Sequence, residues 1–239
     1  MPQMTKSKGI FENGGLESGF LEGGKLKKEL LMTEETINKV KEIKRSFRLM
    51  MNGVASQSMR QKGADYQVNW GIGLVDLRNM AAEYGKDYDL AIALWKENIR
   101  ECKILATMLM PPEKMLPEIA EIWMEQTPTQ EIAEIAAFHL YQYLDEASVL
   151  AFRWLASGKP LYEISGFQVL SRLFMQGLEP DERGINELID QALTSLRSEH
   201  AGVRHAAMNC VRRFADLGED YELIAKKALS SVGTNLDFF

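Results

Sequence analysis

Tryptophan recurs in this chain at a nearly constant spacing, and that recurrence constrains the fold more than any other feature. Trp95, Trp123 and Trp154 lie 28 and 31 residues apart. Each stands late in an amphipathic stretch, and each is followed by a short polar or Gly/Pro break and a second apolar-periodic run. Helix pairs repeated every ~30–45 residues are typical of helical solenoids. The sequence therefore predicts an array of helix pairs, with the three tryptophans packed between repeats.

The composition is that of an ordinary globular protein. Of 239 residues, 46% are hydrophobic and 26% are charged, and no apolar run approaches the ~20 residues of a membrane span. The N-terminus lacks the apolar core of a signal peptide, so we expect a cytoplasmic protein without a membrane partner. Cys102 and Cys210 lie in apolar helical runs, which predicts buried free thiols. The three histidines show no metal-ligand spacing, and neither a metal nor a cofactor is expected.

The net charge of −6 conceals an asymmetry between the two halves of the chain. Residues 1–110 contain 17 Lys and Arg against 14 Asp and Glu, whereas residues 111–239 contain 11 against 20. A polyanionic partner would therefore have to be held by local basic patches. An equally good interpretation is that solvated helix faces simply differ in charge.

The chain divides into a tail and one helical domain. Six glycines interrupt any periodicity in residues 1–32, which predicts a flexible tail. Residues 33–239 predict a single all-α domain that begins with Thr33 as a helix N-cap. Residues 52–73 lose the periodicity, so they are predicted to be a functional loop or to contain a short helix. Helices are then expected at about 74–84, 88–97, 99–110, 113–126, 129–143, 146–157, 161–176, 182–197, 201–215 and 220–230, with Gly85, Gly158 and Gly177 as C-caps.

One stretch carries a specific family resemblance. Residues 69–109 read NWGIGLVDLRNMAAEYGKDYDLAIALWKENIRECKILATML, and a weaker echo, VRHAAMNCVRR, occupies residues 203–213. Asn69-Trp70-Gly71, Leu77-Arg78 and Ile99-Arg100-Glu101 resemble the AlkD-like DNA alkylation-repair family of HEAT-like repeat DNA glycosylases, and the resemblance extends over about residues 34–230. It implies an all-α, right-handed superhelical solenoid of antiparallel HEAT-like (armadillo-type) helix pairs.

The resemblance also implies a chemistry and the positions that would perform it. Members of that family hold duplex DNA in a concave groove and release cationic alkylated purines, which requires a carboxylate and aromatic faces that tolerate cations. The family's tryptophan and aspartate, four residues apart, correspond here to Gln130 and Glu134, and a register shift would bring in Glu131. The family's arginine falls near Tyr162, and its late tryptophan falls on Asn209. Glu134 is therefore the candidate catalytic residue, although a Glu in such a run is more often simply solvated.

Further candidates come from residue types suited to bases and phosphates. The aromatic residues Tyr66, Trp70 and Tyr162 could line a substrate pocket. Aromatics at helical spacing more often pack in a core, and Trp70 could instead staple the following helix. The segment SQSMRQKGADYQ, residues 56–67, supplies cations suited to a phosphate backbone. The predicted DNA-binding residues are Arg60, Lys62, Arg100, Lys103, Arg204, Arg212 and Arg213.

Two functions remain open at this point. The first is a monomeric DNA-repair protein that binds duplex or damaged DNA, with N-glycosidic hydrolysis of alkylated purines as its reaction if catalysis is retained. The second is a non-catalytic HEAT-like scaffold for a protein partner, which the acidic C-terminal half and the missing pocket aromatics favour. The electrostatic character of the groove face would separate these two functions.

Overall fold

The regular structure of this chain is helical, as the sequence predicts. The computed structural model describes residues 33–64, 66–231 and 233, in which the one departure from helix and turn is an isolated bridge between Val68 and Ile99. The predicted tail, residues 1–32, lies outside the described residues. No helix within these ranges is long and apolar enough to cross a membrane. The described α-helices are α1 Glu34–Met50, α2 Gly53–Gln61, α3 Leu74–Tyr84, α4 Tyr88–Trp95, α5 Arg100–Leu109, α6 Pro117–Glu125, α7 Gln130–His139, α8 Ala147–Leu155, α9 Pro160–Met175, α10 Glu182–Ser195, α11 Ala201–Ala215 and α12 Glu219–Ser230.

Most predicted helix boundaries agree with the structure to within two residues. The segment predicted at 113–126 becomes α-helical only at Pro117, because a 3₁₀ turn at Pro112–Lys114 precedes it. The segment predicted at 129–143 ends as an α-helix at His139, and a second 3₁₀ turn follows. The three glycines expected at helix ends all have positive φ angles, between 67° and 76°. These are the left-handed positions that terminate helices.

The helices stack in two rows. In the second row, α5, α7, α9 and α11, each helix packs against the next, and these are the second members of the helix pairs. The first row consists of their partners α4, α6, α8 and α10. At one end α1 packs against α4 and α3 packs against α5, and at the other end α12 packs against α10 and α11. This arrangement is the solenoid of helix pairs that the tryptophan spacing predicts.

The three recurring tryptophans connect successive helices of the first row. The indole of Trp95 stacks on that of Trp123 with ring centroids 4.2 Å apart and planes 2° from parallel. Trp154 packs edge-on against Tyr141 at 4.9 Å, and its indole nitrogen donates to Glu121 of α6. All three are at most 2% exposed, so their predicted packing role is confirmed. Aromatic pairs of this kind add about 0.5–1.5 kcal/mol beyond the burial of their area.

Both cysteines are buried free thiols, as predicted. Burial raises the pKa of Cys210 to about 12, and burial also raises the pKa of Cys102. The two thiols are therefore protonated and unreactive at neutral pH. In the described part of the chain, no three His, Cys, Asp or Glu side chains are grouped as metal ligands.

The segment 52–73 contains the short helix α2 and then a connection that polar groups hold in place. Asn52 caps α2, since its side chain accepts the backbone N–H of Ala55 at 3.0 Å. The backbone N–H of Asn52 donates to the carbonyl of Trp70 at 2.8 Å. The hydroxyl of Ser56 donates to the carbonyl of Asn69, also at 2.8 Å. The connection is ordered because its backbone groups find partners within the protein.

Gly71 lets this connection pass closely over α2. Its φ is +72°, and an added Cβ would press on the carbonyl oxygen of Asn52 and lie 2.7 Å from the amide nitrogen of Ser56. We predict that Gly71→Ala lowers the free energy of unfolding by about 2–4 kcal/mol, because the cost of a left-handed alanine adds to a backbone clash.

Gly63→Ala is the matched control for this prediction. Gly63 has a φ of +87°, but nothing lies within 4 Å of its added Cβ. Only the conformational cost of about 1 kcal/mol is then expected. Urea denaturation at a constant m-value measures both variants, and equal losses would contradict the proposed clash.

Candidate functional site

The arginine of the Ile99-Arg100-Glu101 segment lies in the interior rather than at a surface. Arg100 is 2% exposed. Its Nε and one terminal nitrogen donate to the two carboxylate oxygens of Glu131 at 2.8 and 2.6 Å. The other terminal nitrogen donates to Glu101 at 3.1 Å and to the carbonyl of Ile72 at 3.0 Å. Such a guanidinium needs several partners, because removing a charge from water costs several kcal/mol.

Glu101 joins α5 to the connection that precedes α3. Its carboxylate is 0% exposed and accepts the backbone N–H of Trp70 at 3.1 Å and that of Ile72 at 3.3 Å. The backbone N–H of Arg100 donates to the carbonyl of Val68 at 3.0 Å. Two of the segments on which the family resemblance rests, 69–71 and 99–101, are therefore joined by buried polar contacts, and the visible role of Arg100 and Glu101 is structural.

Tyr66 belongs to the same network. Its hydroxyl donates to Glu131 at 2.5 Å and shares a hydrogen bond with the hydroxyl of Thr129 at 2.7 Å. Burial is the main reason that the pKa of Tyr66 is raised. Burial also acts to raise the pKa of Glu131, but hydrogen bonds from Arg100 and Tyr66 and the charge of Arg100 outweigh it and hold that pKa below its ordinary value. Tyr66 was expected to line a substrate pocket, but its side chain is only 7% exposed and offers no open ring face for a base.

Two of the predicted DNA-binding cations are in fact core residues. Lys103 is 6% exposed, and its ammonium group donates to the carbonyl of Trp95 at 2.9 Å and lies 4.3 Å from the centre of that indole. Burial lowers the pKa of Lys103. The predictions for Arg100 and Lys103 are wrong because α5 does not present a face to the solvent. Every residue of α5 is buried, and α3 packs against this helix.

Glu134 lies at an open cavity of about 540 Å³ where the second-row helices α7, α9 and α11 begin. Its carboxylate accepts a hydrogen bond from the side-chain amide of Gln130 at 2.8 Å. Helix N-termini carry partial positive charge, which suits anionic groups. The ring of His200 is the one aromatic ring that lines the cavity in the described chain. The charged and titratable lining residues are Lys62, Glu131, Glu134 and His200.

The other two candidate pocket aromatics do not line this cavity. The ammonium group of Lys159 lies over the ring of Tyr162, 4.8 Å from the ring centre. Burial, and then the charges of Glu125 and Glu121 on α6, raise the pKa of Tyr162. Trp70 packs against the core, and its buried indole N–H has no hydrogen-bond partner among the described residues. The substrate pocket expected from Tyr66, Trp70 and Tyr162 is therefore not assembled around Glu134.

The three predicted arginines of α11 lie close to one another. Arg204 and Arg212 line one cavity of about 360 Å³, and Arg212 and Arg213 line another of about 660 Å³. Asn209, which stands at the family's late tryptophan position, lines both cavities. Arg204 also donates to two carbonyls of the turn before α11, at 2.7 and 2.9 Å, and Arg213 pairs with Asp216 at 3.1 Å. Arg60 and Lys62 are exposed at the end of α2.

The sequence reasoning missed a group of cations at the C-terminal end of α7. Arg78, Lys86 and His139 line one open cavity of about 340 Å³. Nearby, the guanidinium of Arg172 lies 4.6 Å from the ring centre of Phe138. These residues come from α3, the α3–α4 connection, α7 and α9. No spacing in the sequence relates them, so only the fold brings them together.

The network around Arg100 leads to a prediction about two glutamates on α7. Replacing Glu131 by Gln removes a charge from a buried ion pair whose acid is 31% exposed, and we expect the free energy of unfolding to fall by roughly 2–4 kcal/mol. Glu134→Gln is the matched control, because Glu134 bonds only Gln130 in the described structure and a change below about 1 kcal/mol is expected. Equal losses in denaturant unfolding would contradict the dominant role of Glu131.

The same pair should give the protein a defined sensitivity to acid. The folded-state pKa of Glu131 is lowered, so its contribution to stability is complete above the unfolded-state pKa of a Glu, about 4.3, and is lost as the pH falls through the lower folded-state value. Stability measured between neutral pH and about pH 3 should therefore fall less in Glu131→Gln than in the unmodified protein. Parallel curves would show that the pair does not titrate in this way.

Comparisons with known proteins agree with this architecture. Among solved structures, the chain is similar to one described as a new family of proteins related to the HEAT-like repeat DNA glycosylases with affinity for branched DNA structures. The TM-score is 0.70 at 15% sequence identity, and the match covers 80% of this chain and 82% of that chain. At this identity the likeness shows a shared fold. A search of curated proteins finds no match.

The sequence itself identifies the family. Residues 43–216 match the family described as DNA alkylation repair enzyme. This range begins within α1 and ends just after α11, so it includes the buried Arg100 network and all four second-row helices. The chain belongs to the DNA alkylation repair enzyme family.

Proposed function

We propose that this protein is a DNA-repair protein that binds DNA along its second row of helices, prefers branched DNA, and does not release bases. The observation that carries this proposal is the distribution of charge between the two rows. The proposal also includes a preference for branched DNA and the absence of base excision. Separate features of the second row support each of these two properties.

Acidic side chains are concentrated on the first row. The first-row helices α6, α8 and α10 carry six acidic and two basic residues, whereas the second-row helices α7, α9 and α11 carry three acidic and four basic residues. One of the three second-row acids, Glu131, forms an ion pair with the buried Arg100. A polyanion can therefore approach the second row although the C-terminal half of the chain is acidic. The second-row cations are Arg172, Arg204, Arg212 and Arg213.

A preference for branched DNA is supported by the separation of the cations. Lys62 lies at the cavity near the beginning of α7, and His139 ends that helix beside Arg78 and Lys86. A helix of 10 residues is about 15 Å long, so cations at its two ends can contact different backbones. A junction brings more strands together than a linear duplex does. The structurally similar protein is described as having affinity for branched DNA.

The absence of base release is supported by what surrounds Glu134. Stabilising a departing cationic base requires an aromatic face near the carboxylate. Here Gln130 occupies the position of the family's tryptophan, and its amide holds Glu134. Tyr66, the nearest predicted substitute, is buried against Glu131. The cavity contains the cation Lys62 beside polar side chains, which suits a phosphate group.

One observation favours a second function, a scaffold for a protein partner. Leu116, Ile122 and Val149 are 50–58% exposed near or on first-row helices. Exposed apolar side chains on a row that DNA does not use are suited to protein contacts. This function is the one favoured if junction binding is absent from the purified protein.

The DNA-binding proposal predicts the effect of reversing two exposed charges near the Glu134 cavity. We expect the unmodified protein to bind a DNA junction more tightly than a linear duplex of the same sequence. Arg60→Glu combined with Lys62→Glu should weaken junction binding roughly tenfold or more at physiological salt and reduce the log–log salt slope by about 2. Fluorescence anisotropy across a salt series measures both quantities.

The control for that experiment is a double charge reversal on α1. Lys41→Glu combined with Arg45→Glu changes the net charge equally at two exposed positions away from the second row. Equal losses in the two double variants would show a general charge effect, and no loss in Arg60→Glu with Lys62→Glu would contradict the proposed interface.

The absence of catalysis is tested with methylated DNA. We expect the unmodified protein to release no more free 3-methyladenine or 7-methylguanine than Glu134→Gln does, because no Trp, Tyr or Phe among the described residues lines the cavity beside Glu134 to stabilise the leaving base. Chromatography of the released bases measures this at protein concentrations that saturate the DNA. Release that disappears in Glu134→Gln would overturn this part of the proposal and identify Glu134 as catalytic.

A further inference from the structure

Four cationic or basic side chains surround the C-terminal end of α7 without an acidic side chain among them. The cavity of about 340 Å³ is lined by Arg78, Ala81, Ala82, Gly85, Lys86, Met108 and His139. A phosphate group with several waters fits in this volume, since one water occupies about 30 Å³. The charge of Arg172 on α9 also acts on His139, and its guanidinium packs on the neighbouring Phe138 ring. Positive charge that is not compensated within the protein is best compensated by an anion from outside.

The individual cations differ in how far they are already satisfied. Lys86 donates to the carbonyls of Met108 and Met110 at 2.9 and 3.1 Å, and Glu113 is the carboxylate that acts on it. The ammonium group of Lys86 is therefore already partly satisfied by the carbonyls at the end of α5. Arg78 is exposed, and no hydrogen bond or ion pair joins its guanidinium to the described residues. Arg78 is thus the cation best able to bind a ligand.

Arg172 is held in place without losing its charge. Its guanidinium packs on the ring of Phe138 and donates weakly to the sulfur of Met175 at 3.8 Å. Neither partner is a carboxylate. Stacking of this kind orients the guanidinium and leaves N–H donors at its edge. Arg172 therefore supplies an oriented positive charge next to His139.

The pKa of His139 reflects its burial and the positive charge around the C-terminal end of α7. Burial, followed by the charges of Arg78, Lys86 and Arg172, lowers the pKa of His139 to about 4. The ring is therefore neutral at neutral pH. The groups that act on it come from α3, from the α3–α4 connection and from α9, and all three are cations. Positive charge from three separate elements of the fold attracts a phosphate group.

We propose that Arg78, Lys86, His139 and Arg172 form a binding site for a phosphate group, with the backbone of a second DNA strand as its source. That the phosphate belongs to DNA rests on the proposed function. That this site binds a phosphate group does not depend on it. The site lies at the opposite end of α7 from the Lys62 cavity, so the two positions would hold phosphates of different strands.

The site itself is tested with inorganic sulfate, which carries the charge of a phosphate group and stays ionised over the pH range in which His139 titrates. The ring signals of His139 are followed by NMR against pH. We expect a midpoint near pH 4 in sulfate-free buffer and a higher midpoint with sulfate, because a bound anion offsets the cations.

Variants of Arg78 make the sulfate experiment specific. Arg78→Gln should weaken the effect of sulfate on His139, and Arg78→Glu should abolish it, whereas Arg183→Glu on first-row α10 should leave it unchanged. Arg78 is exposed, so these variants are expected to fold. The site is overturned if sulfate does not move the His139 midpoint, or if the effect persists in Arg78→Glu.

A DNA arm identifies the source of the phosphate. We expect Arg78→Glu to weaken junction binding roughly three- to tenfold and to lower the log–log salt slope by about 1, in addition to the effect of Lys62→Glu. Junction binding that is unchanged in Arg78→Glu overturns DNA as the source while the proposed function stands. A sulfate effect without any DNA binding supports the site and contradicts the proposed function instead.

Discussion

The buried guanidinium of Arg100 is the interaction on which the first part of this solenoid depends. A charge removed from water is tolerated only where its donors find partners of opposite charge and good geometry. Two nitrogens of the Arg100 guanidinium donate hydrogen bonds to the carboxylate of Glu131. The third nitrogen donates to Glu101 and to a backbone carbonyl. The same two carboxylates also bind Tyr66 and two backbone N–H groups of the 66–72 connection. A shift of α7 relative to α5 would separate these charges, so the network fixes the register of the two helices.

This network also decides which acids are available at the second row. Glu131 lines the cavity, but its carboxylate oxygens are already bonded to Arg100 and Tyr66. Glu134 is the remaining carboxylate on α7, and Gln130 bonds it one turn earlier. The pair of Gln130 and Glu134 differs from the tryptophan and aspartate that the family resemblance implies at these positions, since an amide rather than an indole lies beside the carboxylate. The fold of the family and the chemistry of the site are therefore separate properties in this chain.

The sequence predicts the fold well because local signals and packing agree. The tryptophan spacing, the glycines after α3, α8 and α9, and the apolar periods all point to helix pairs. The site was predicted less well, and Arg100 and Lys103 show why. The prediction that they bind DNA requires an accessible face, yet α3 packs against α5 and every residue of α5 is buried. The sequence contained one hint, since IRECKILATML is apolar on nearly all sides of a helix, which is typical of a buried helix. The assembly of Arg78, His139 and Arg172 had no such hint, because residue contacts across three helices are set by tertiary packing alone.

The two ends of α7 differ in a way that explains where acids and cations occur. At its beginning, the helix dipoles of the second row favour negative charge, so Glu131 and Glu134 are tolerated there beside Lys62. At its end, the helix dipole carries partial negative charge, and an anionic partner would be repelled unless full positive charges were present. Lys86 neutralises the carbonyls that end α5, which leaves Arg78 and Arg172 as net positive charge. The distribution of these groups along one helix, rather than the net charge of the chain, determines how a polyanion can be held.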